Sequence, residues 1–211
     1  MSPGQIVILN GAPRSGKSSI VAAIQESFDG VWMNLGVDTF KECATPEKYS
    51  PGIGLRPGGE CPDLEPIVAM MYRAMYASIA AHSRFGLNVA VDVGHHDGYS
   101  QPLGILPSCA RLLDGLPALF VGVRCPVDVI MARRMAARIE GGTPYVVGNE
   151  DEPVPAPVRR WQTAVHQPGI YDLDVDTSIL TPQQCAAEIS RRLANGPPPE
   201  ALRSIANLDA D

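Results

Sequence analysis

Short runs of consecutive apolar residues alternate along the chain with longer segments in which apolar residues recur every three to four positions. Five such runs predict strands, at residues 5–10, 31–37, 88–93, 118–124 and 173–175. A continuous apolar run is typical of a strand that is covered on both faces of a parallel sheet. The intervening segments have the helical period. The alternation therefore predicts an α/β fold with helices on both faces of a parallel sheet.

Local sequence signals predict two of the helices in more detail. The segment at 64–82 is apolar almost all round, which predicts a largely buried helix. Thr181, Pro182 and Gln184 form the hydroxyl, proline and glutamine signature of a helix start, and Asn195-Gly196 marks the end of that helix.

Two segments rich in Pro and Gly, at 44–62 and 141–157, predict long loops, which are usually functional or disordered. The chain after Gly196 is rich in Pro and acidic residues. We predict one domain over 1–196 and a frayed terminus over 197–211.

Composition narrows the functional classes. The chain has 211 residues, of which 45% are apolar, and a net charge of −6. That length can bury a core without disulfides, and the acidic balance argues against a nucleic-acid partner. The five cysteines form no CxxC pair, which favours reduced thiols and a cytoplasmic location. Arg73 and Arg124 interrupt the most apolar windows, so no membrane span is predicted.

The segment GAPRSGKS, after the first predicted strand, matches the Walker A pattern G-x-x-x-x-G-K-S. In this motif, backbone N–H groups and a helix N-terminus surround phosphate oxygens, while the lysine reaches the β- and γ-phosphates. We expect ATP at this loop, with Mg²⁺ bound by Ser18. The predicted nucleotide-binding residues are Gly11, Ala12, Pro13, Arg14, Ser15, Gly16, Lys17, Ser18 and Ser19.

The usual devices for activating water are missing from the sequence. No Asn-Lys pair of a GTPase base-reading motif is present, and Val93 rather than Glu follows Asp92. Both observations favour transfer of the phosphoryl group to another molecule.

Two carboxylates are candidates for that chemistry, because ligands collect at the carboxyl ends of parallel strands. Asp38 is predicted to end the second strand and to orient or deprotonate the acceptor hydroxyl; the alternative is a helix cap. Asp92 ends the third strand and is the predicted partner of Mg²⁺; the alternative is a hydrogen bond that fixes a loop.

Three arginines, Arg133, Arg134 and Arg138, lie on the predicted helix before the 141–157 segment. They would either contact the transferring phosphoryl group or form a solvated surface. The run His95-His96-Asp97 could suggest a metal site, but adjacent histidines do not easily share one metal. We predict exposed loop residues there.

Several stretches resemble the chloramphenicol phosphotransferase-like family of P-loop kinases. They are IVILNGAPRSGKSSIV, LGVDTF, NVAVDVG, FVGVRC, the arginine-rich helix and AVHQPGIYDLDVDTS, in the family's order. The resemblance implies ATP-dependent phosphorylation of a hydroxyl on a small molecule, an antibiotic in the named member. It implies that Asp38 is the catalytic base and Arg133 a lid arginine, with Arg138 as the second. By analogy with small-molecule kinases, the strand order is expected to be 2-3-1-4-5.

The sequence thus predicts a single-domain kinase that acts on a small hydroxyl-bearing acceptor. An insertion at 44–86 would form the acceptor side, and residues 140–157 would form a lid. Two alternatives stay open: a kinase of another metabolite or sugar nucleotide, and a nucleotide-binding regulatory protein without transfer activity.

Overall fold

A five-stranded parallel sheet forms the centre of the molecule. The computed structural model describes residues 2–43, 45–139 and 146–208. The strands are β1 (Ile6–Asn10), β2 (Trp32–Asn34), β3 (Asn88–Val93), β4 (Ala118–Arg124) and β5 (Leu173–Asp176). Their order is β2-β3-β1-β4-β5, and every neighbouring pair is parallel. The predicted α/β class and strand order are confirmed.

Within the part of the chain that the structure describes, eight helices connect and cover the strands. They are α1 (Lys17–Ser27), α2 (Val37–Cys43), α3 (Glu65–Arg84), α4 (Ile105–Leu112), α5 (Val127–Ile139), α6 (Ala156–Ala164), α7 (Pro182–Asn195) and α8 (Ala201–Ala206). Two short 3₁₀ turns, Glu47–Tyr49 and Gly52–Gly54, lie between α2 and α3. Within the described ranges, no helix combines the length and apolar content needed to cross a membrane.

The alternation of side chains along β1 builds two cores. Ile6 and Ile8 pack on the face that α3, α4 and α8 cover, whereas Val7 and Leu9 pack on the face covered by α1 and α7. All four side chains are fully buried, which explains why the strand reads as a continuous apolar run. The carboxyl ends of the strands are thereby held at one rigid edge.

The start of α7 follows its sequence signature. The Thr181 hydroxyl accepts the N–H of Gln184, and the Gln184 side chain accepts the N–H of Thr181. The helix ends at Asn195, as predicted.

The five cysteines are free thiols, also as predicted.

The frayed terminus predicted for 197–211 is wrong for its central part. Leu202 and Ile205 of α8 are buried against the sheet face that α4 also covers. The Asp172 carboxylate accepts the N–H groups of Glu200 and Ala201 at 2.7 and 3.0 Å. This short helix therefore belongs to the domain, because its apolar face and its first turn both have partners.

The second strand is shorter than predicted. β2 ends at Asn34, whose side-chain oxygen accepts the N–H of Gly36 at 3.0 Å and turns the chain. The Gly36 carbonyl then accepts the N–H of Phe40, which begins α2. Asp38 therefore lies in the first turn of a helix and does not end the strand, and the helix-cap alternative fails too, since α2 begins at Val37.

Candidate active site

A cavity of about 850 Å³ opens at the carboxyl ends of the strands. The loop between β1 and α1 forms its floor, α2 and the 52–56 segment form one wall, and residues 177–182 form the other. Lys17, Ser18, Asp38, Asp92 and Arg133 all line it. The fold thus brings most of the residues selected from the sequence to one place.

The glycine loop has the shape that a polyphosphate needs. A Cβ atom on Gly11 would lie 2.6 Å from the Val123 carbonyl oxygen, so only glycine allows this approach. Gly16 has φ of 96° and precedes α1 without a side-chain cap. The first N–H groups of that helix are therefore available to an anion. The buried Ser15 hydroxyl also has no hydrogen-bond partner among the described residues.

Lys17 lies half-buried beside this loop. Its ammonium donates to the Ala12 carbonyl at 3.0 Å. Burial lowers the pKa of Lys17, and the charges of Asp92 and Asp38 oppose that shift. An anionic ligand at the loop would offset the cost of burying this cation.

Ser18 and Asp92 form a ready pair of oxygen ligands. The Ser18 hydroxyl donates to Asp92 Oδ2 at 2.6 Å. Asp92 is only 6% exposed, at the end of β3 beside the central strand. A hydroxyl and a carboxylate that meet beside a phosphate-binding loop fit Mg²⁺, which prefers such hard oxygen ligands together with phosphate oxygens.

Gly36 is a residue that sequence reasoning missed. A Cβ atom at this position would lie only 1.7 Å from Oδ1 of Asp92. The close approach of the Gly36 backbone fixes where the Asp92 carboxylate can lie. No local pattern reveals such a tertiary requirement, although the glycine directly before a predicted strand end was a usable signal.

Asp38 projects from the first turn of α2 into the open cavity. Its side chain is accessible to water, but the cavity walls still remove part of its hydration. This partial burial raises the pKa of Asp38 above its ordinary value, and the nearby Asp92 adds to the rise while Lys17 opposes it. A carboxylate with a raised pKa is a better proton acceptor than a freely solvated one.

Arg133 connects α5 to the nucleotide loop. Its guanidinium donates to the Thr177 carbonyl at 2.7 Å, the Thr177 hydroxyl at 3.1 Å and the Arg14 carbonyl at 3.3 Å. Thr177, which the sequence reasoning did not select, donates its hydroxyl to the Ser15 carbonyl at 2.7 Å. Arg133 therefore lies against the phosphate-binding loop.

The other two arginines of α5 lie in different surroundings. Arg134 is buried, lines the cavity and donates to the Val146 carbonyl at 3.2 Å. Arg138, one turn further along, is exposed and is not among the residues that line the cavity. Of the predicted lid, residues 140–145 lie outside the described residues, and 146–155 are irregular chain.

The cavity lining outside the nucleotide loop combines apolar, aromatic and charged groups. Ile53 and Arg56 come from the segment before α3, Tyr72 from α3 and Trp161 from α6. Arg56 pairs with Glu60 at 2.6 Å, and Glu60 also pairs with Arg160 of α6 at 3.1 Å. These exposed ion pairs link two segments of the wall, at a modest gain in stability.

The prediction that His95, His96 and Asp97 are exposed loop residues is wrong for both histidines. His95 is 1% exposed and His96 is 5% exposed. The His96 ring lies between Tyr99 at 4.4 Å and Trp161 at 4.9 Å, and its Nε2 bonds to the Leu55 carbonyl at 2.9 Å. Apart from Tyr99, the partners that enclose these rings come from distant segments, and a local sequence window does not contain them.

His166 and Tyr171 belong to a polar chain behind the loop. His166 Nδ1 and the Tyr171 hydroxyl lie 2.9 Å apart, and the Asn10 amide donates to the same hydroxyl at 2.9 Å. Asn10 Oδ1 accepts the N–H of His95 at 2.8 Å. Burial lowers the pKa of His166 to about 4, so the imidazole is neutral at physiological pH. These residues support the edge of the sheet and do not line the cavity.

Known proteins share this sequence pattern. A sequence profile described as chloramphenicol phosphotransferase-like protein matches residues 4–194. Among curated proteins, the chain is 26% identical over 219 residues to a Mycobacterium tuberculosis H37Rv protein named "Putative O-phosphotransferase Rv2636". The alignment covers 97% of this chain and 89% of that protein.

Solved structures share the architecture. The APS kinase CysC of Mycobacterium tuberculosis, in complex with AMPPNP and APS, superposes with a TM-score of 0.57 at 15% identity, over 92% of this chain and 99% of that one. Shikimate kinase from Acinetobacter baumannii, in complex with shikimate, superposes with a TM-score of 0.55 at 13% identity, over 90% of this chain and 92% of that one. A tunicamycin resistance protein of Deinococcus radiodurans superposes with a TM-score of 0.54 at 19% identity, over 90% of this chain and 96% of that one.

At these identities the structural likeness establishes a P-loop kinase fold and no more. The match over residues 4–194 covers nearly the whole described domain, including the nucleotide loop, Asp38, Asp92 and Arg133. The chain therefore belongs to the chloramphenicol phosphotransferase-like family of kinases and phosphotransferases.

Proposed function

We propose that the protein transfers the γ-phosphoryl group of ATP to a hydroxyl group of a small molecule. The observation that carries the proposal is the placement of Asp38 and the Lys17–Ser18 loop on the same cavity. One side can hold a polyphosphate, and the other presents a carboxylate and an apolar wall.

The nucleotide side would be held by the loop at residues 11–19. Its backbone N–H groups and Lys17 would bind the phosphates, and Arg133 would neutralise negative charge at the loop. Ser18 and Asp92 would hold Mg²⁺, directly or through water. When bound, Mg²⁺ would supply positive charge that stabilises the negative charge developing on the phosphate oxygens during transfer.

The transfer would proceed in line. The acceptor oxygen forms a bond to the γ-phosphorus while the bond to the β,γ-bridging oxygen breaks, and ADP leaves. The hydroxyl proton passes to the Asp38 carboxylate, which then releases it to water. Positioning and charge stabilisation carry most of the rate enhancement, and a positioned base typically adds about 10²–10⁴-fold.

The acceptor would bind between Asp38, the 45–62 segment and α3. Ile53 and Trp161 offer apolar contact there. Asp38 and Glu42 add two negative charges, against which Lys41 stands alone because Arg56 is paired with Glu60. This lining supports an uncharged or cationic acceptor with an apolar body. An antibiotic alcohol such as chloramphenicol has this chemistry, and the family name and the likeness to a tunicamycin resistance protein support the same class of acceptor. The free thiols support a cytoplasmic location.

A panel of hydroxyl compounds tests the proposal. Purified protein, ATP and Mg²⁺ are incubated with chloramphenicol, an aminoglycoside, a sugar nucleotide, shikimate and gluconate, and product masses are measured. We expect a mass increase of one phosphoryl group on at least one neutral or cationic member, and none with the Lys17→Ala variant. ATP binding without transfer to any member would contradict the proposal and favour a regulatory nucleotide-binding protein.

A further inference from the structure

Tyr72 has an unusual position in the cavity wall. The residue is 2% exposed, and its side chain lines the same cavity as Asp38. Its hydroxyl forms no hydrogen bond with any of the described residues. Buried tyrosines usually place the hydroxyl against a partner, because an unmet polar group costs free energy.

The hydroxyl of Tyr72 still reaches the cavity. Among the described residues, the Ser15 hydroxyl is fully enclosed and has no hydrogen-bond partner, whereas the Tyr72 oxygen is not fully enclosed. The small accessible area of Tyr72 therefore includes the oxygen, which is open to a molecule in the cavity. The residue as a whole is 2% exposed, and the hydroxyl is the polar part of Tyr72 that a ligand can contact.

The ring is held rigidly in this orientation. It stacks on His95 with centroids 4.6 Å apart and an interplanar angle of 34°. His95 is itself fixed, because its N–H donates to Asn10 at 2.8 Å and its Nε2 shares a 2.7 Å hydrogen bond with the Tyr76 hydroxyl. Burial lowers the pKa of His95 to about 3, so this support is uncharged at physiological pH. A donor held in this way loses little conformational entropy when it binds.

The phenol is a donor throughout the physiological range. Burial raises the pKa of Tyr72 well above its ordinary value, and Tyr99, Cys109 and Asp38 raise it further. The hydroxyl therefore keeps its proton beside the Asp38 carboxylate. Within one cavity, Asp38 accepts a proton and Tyr72 offers one.

We propose that Tyr72 is an acceptor-binding residue whose hydroxyl donates a hydrogen bond to a second oxygen of the acceptor molecule. The inference rests on the proposed function and narrows its substrate class. The reacting hydroxyl gives its proton to Asp38 and its lone pair to phosphorus, so the oxygen that Tyr72 binds is another one. The acceptor is then a compound that carries a carbonyl, ether or further hydroxyl oxygen beside the hydroxyl that is phosphorylated.

Paired phenylalanine variants test this assignment. Tyr72→Phe removes only the hydroxyl, and Tyr99→Phe is the matched control, since Tyr99 packs on His96 outside the cavity lining. The acceptor is the panel member that the wild type phosphorylates. For Tyr72→Phe we expect a KM for the acceptor about tenfold higher, with kcat changed by less than about threefold, as for loss of one hydrogen bond. ATP affinity and all constants of Tyr99→Phe should stay at wild-type values.

Stability separates this role from a structural one. Because the hydroxyl has no partner among the described residues, its removal should leave the melting temperature of the free protein unchanged or raise it. An acceptor analogue that lacks the second oxygen should be handled equally by the wild type and Tyr72→Phe.

Three results would overturn the inference. They are an unchanged KM in Tyr72→Phe, a lowered melting temperature, and an equal rise in KM in both variants. If the wild type phosphorylates no member of the panel, the proposed function fails and this inference fails with it. If the wild type transfers phosphate and Tyr72→Phe has the same constants as the wild type, the inference alone fails.

Discussion

Ser18 and Asp92 are 74 positions apart in the chain, and the Ser18 hydroxyl donates a 2.6 Å hydrogen bond to the Asp92 carboxylate. The bond joins the first turn of α1 to the end of β3. It exists because β1 and β3 are neighbours, so their carboxyl ends lie side by side. The pair places two hard oxygen atoms beside the phosphate-binding loop, where the proposed phosphoryl transfer would use them to hold Mg²⁺.

Removing the lysine of the loop should weaken nucleotide binding. Lys17→Ala loses a charge-assisted contact to a polyanion, and we expect ATP affinity to fall about 10- to 100-fold. Isothermal titration calorimetry measures the change. Lys48→Ala is the matched control, since Lys48 lies in a 3₁₀ turn and is not part of the cavity lining. Equal ATP affinity in Lys17→Ala and the wild type would refute the nucleotide site.

The contact between Gly36 and Asp92 predicts a remote effect on metal dependence. In Gly36→Ala the new methyl group collides with Oδ1 of Asp92 and displaces the carboxylate. We expect transfer to need more Mg²⁺ and stability to fall by about 1–3 kcal/mol, as for other overpacked sites. A titration of activity against Mg²⁺ and a thermal melt measure the two effects.

A double-mutant cycle isolates the cause of this effect. In an Asp92→Ala background the methyl group that Gly36→Ala adds no longer meets a carboxylate, so the added loss of stability should largely disappear. If the two substitutions are instead additive in stability, the contact between Gly36 and Asp92 does not position the carboxylate.

The electrostatics of the cavity predict which acceptors bind. Arg56 is paired with Glu60, so the single charge of Lys41 stands against the negative charges that Asp38 and Glu42 present to the cavity. Neutral or cationic alcohols should therefore have higher kcat/KM than the carboxylates shikimate and gluconate, by about tenfold or more for each unscreened charge contact. Competition assays at low salt compare the two groups. Preferential transfer to the carboxylates would mean that another cation, such as Arg134, binds the acceptor.

Titration of Asp38 predicts the acid limit of activity. Partial burial, followed by the charge of Asp92, raises the pKa of Asp38 above 3.8 in the free protein. Only the ionised carboxylate accepts a proton, so kcat/KM should fall as pH drops through this raised pKa. In Asp92→Asn the acid limb should move to lower pH, because a neighbouring negative charge is lost. Carbon-13 NMR of the Asp38 carboxyl checks the direction independently; an acid limb that does not move would exclude Asp38 as its source.

Much of the fold follows from local patterns. β1, β3 and β4 are central and covered on both faces, so their continuous apolar runs mark them clearly. The Walker A spacing at 11–18 and the capping signature at Thr181 are equally local, and the structure has the corresponding loop and helix start. The strand order came from analogy with other kinases, and the parallel pairing of β1 with β3 and β4 confirms it.

The errors arise where distant contacts decide. Asn34 turns the chain early and Gly36 passes close to Asp92, so Asp38 falls in a helix and not at a strand end. The buried histidines are enclosed by rings from α3 and α6. A window of neighbouring residues contains neither of these rings. Nor does such a window show that Tyr72 stacks on His95 in the cavity wall.

The central claim is that Asp38 accepts the proton of the acceptor hydroxyl, and steady-state transfer by Asp38→Asn tests it most directly. The substitution keeps the shape of the side chain but removes its negative charge and most of its proton affinity. We expect transfer to the acceptor found in the panel to fall about 10²–10⁴-fold, with ATP affinity near that of the wild type. Transfer by Asp38→Asn at close to the wild-type rate would contradict the assignment.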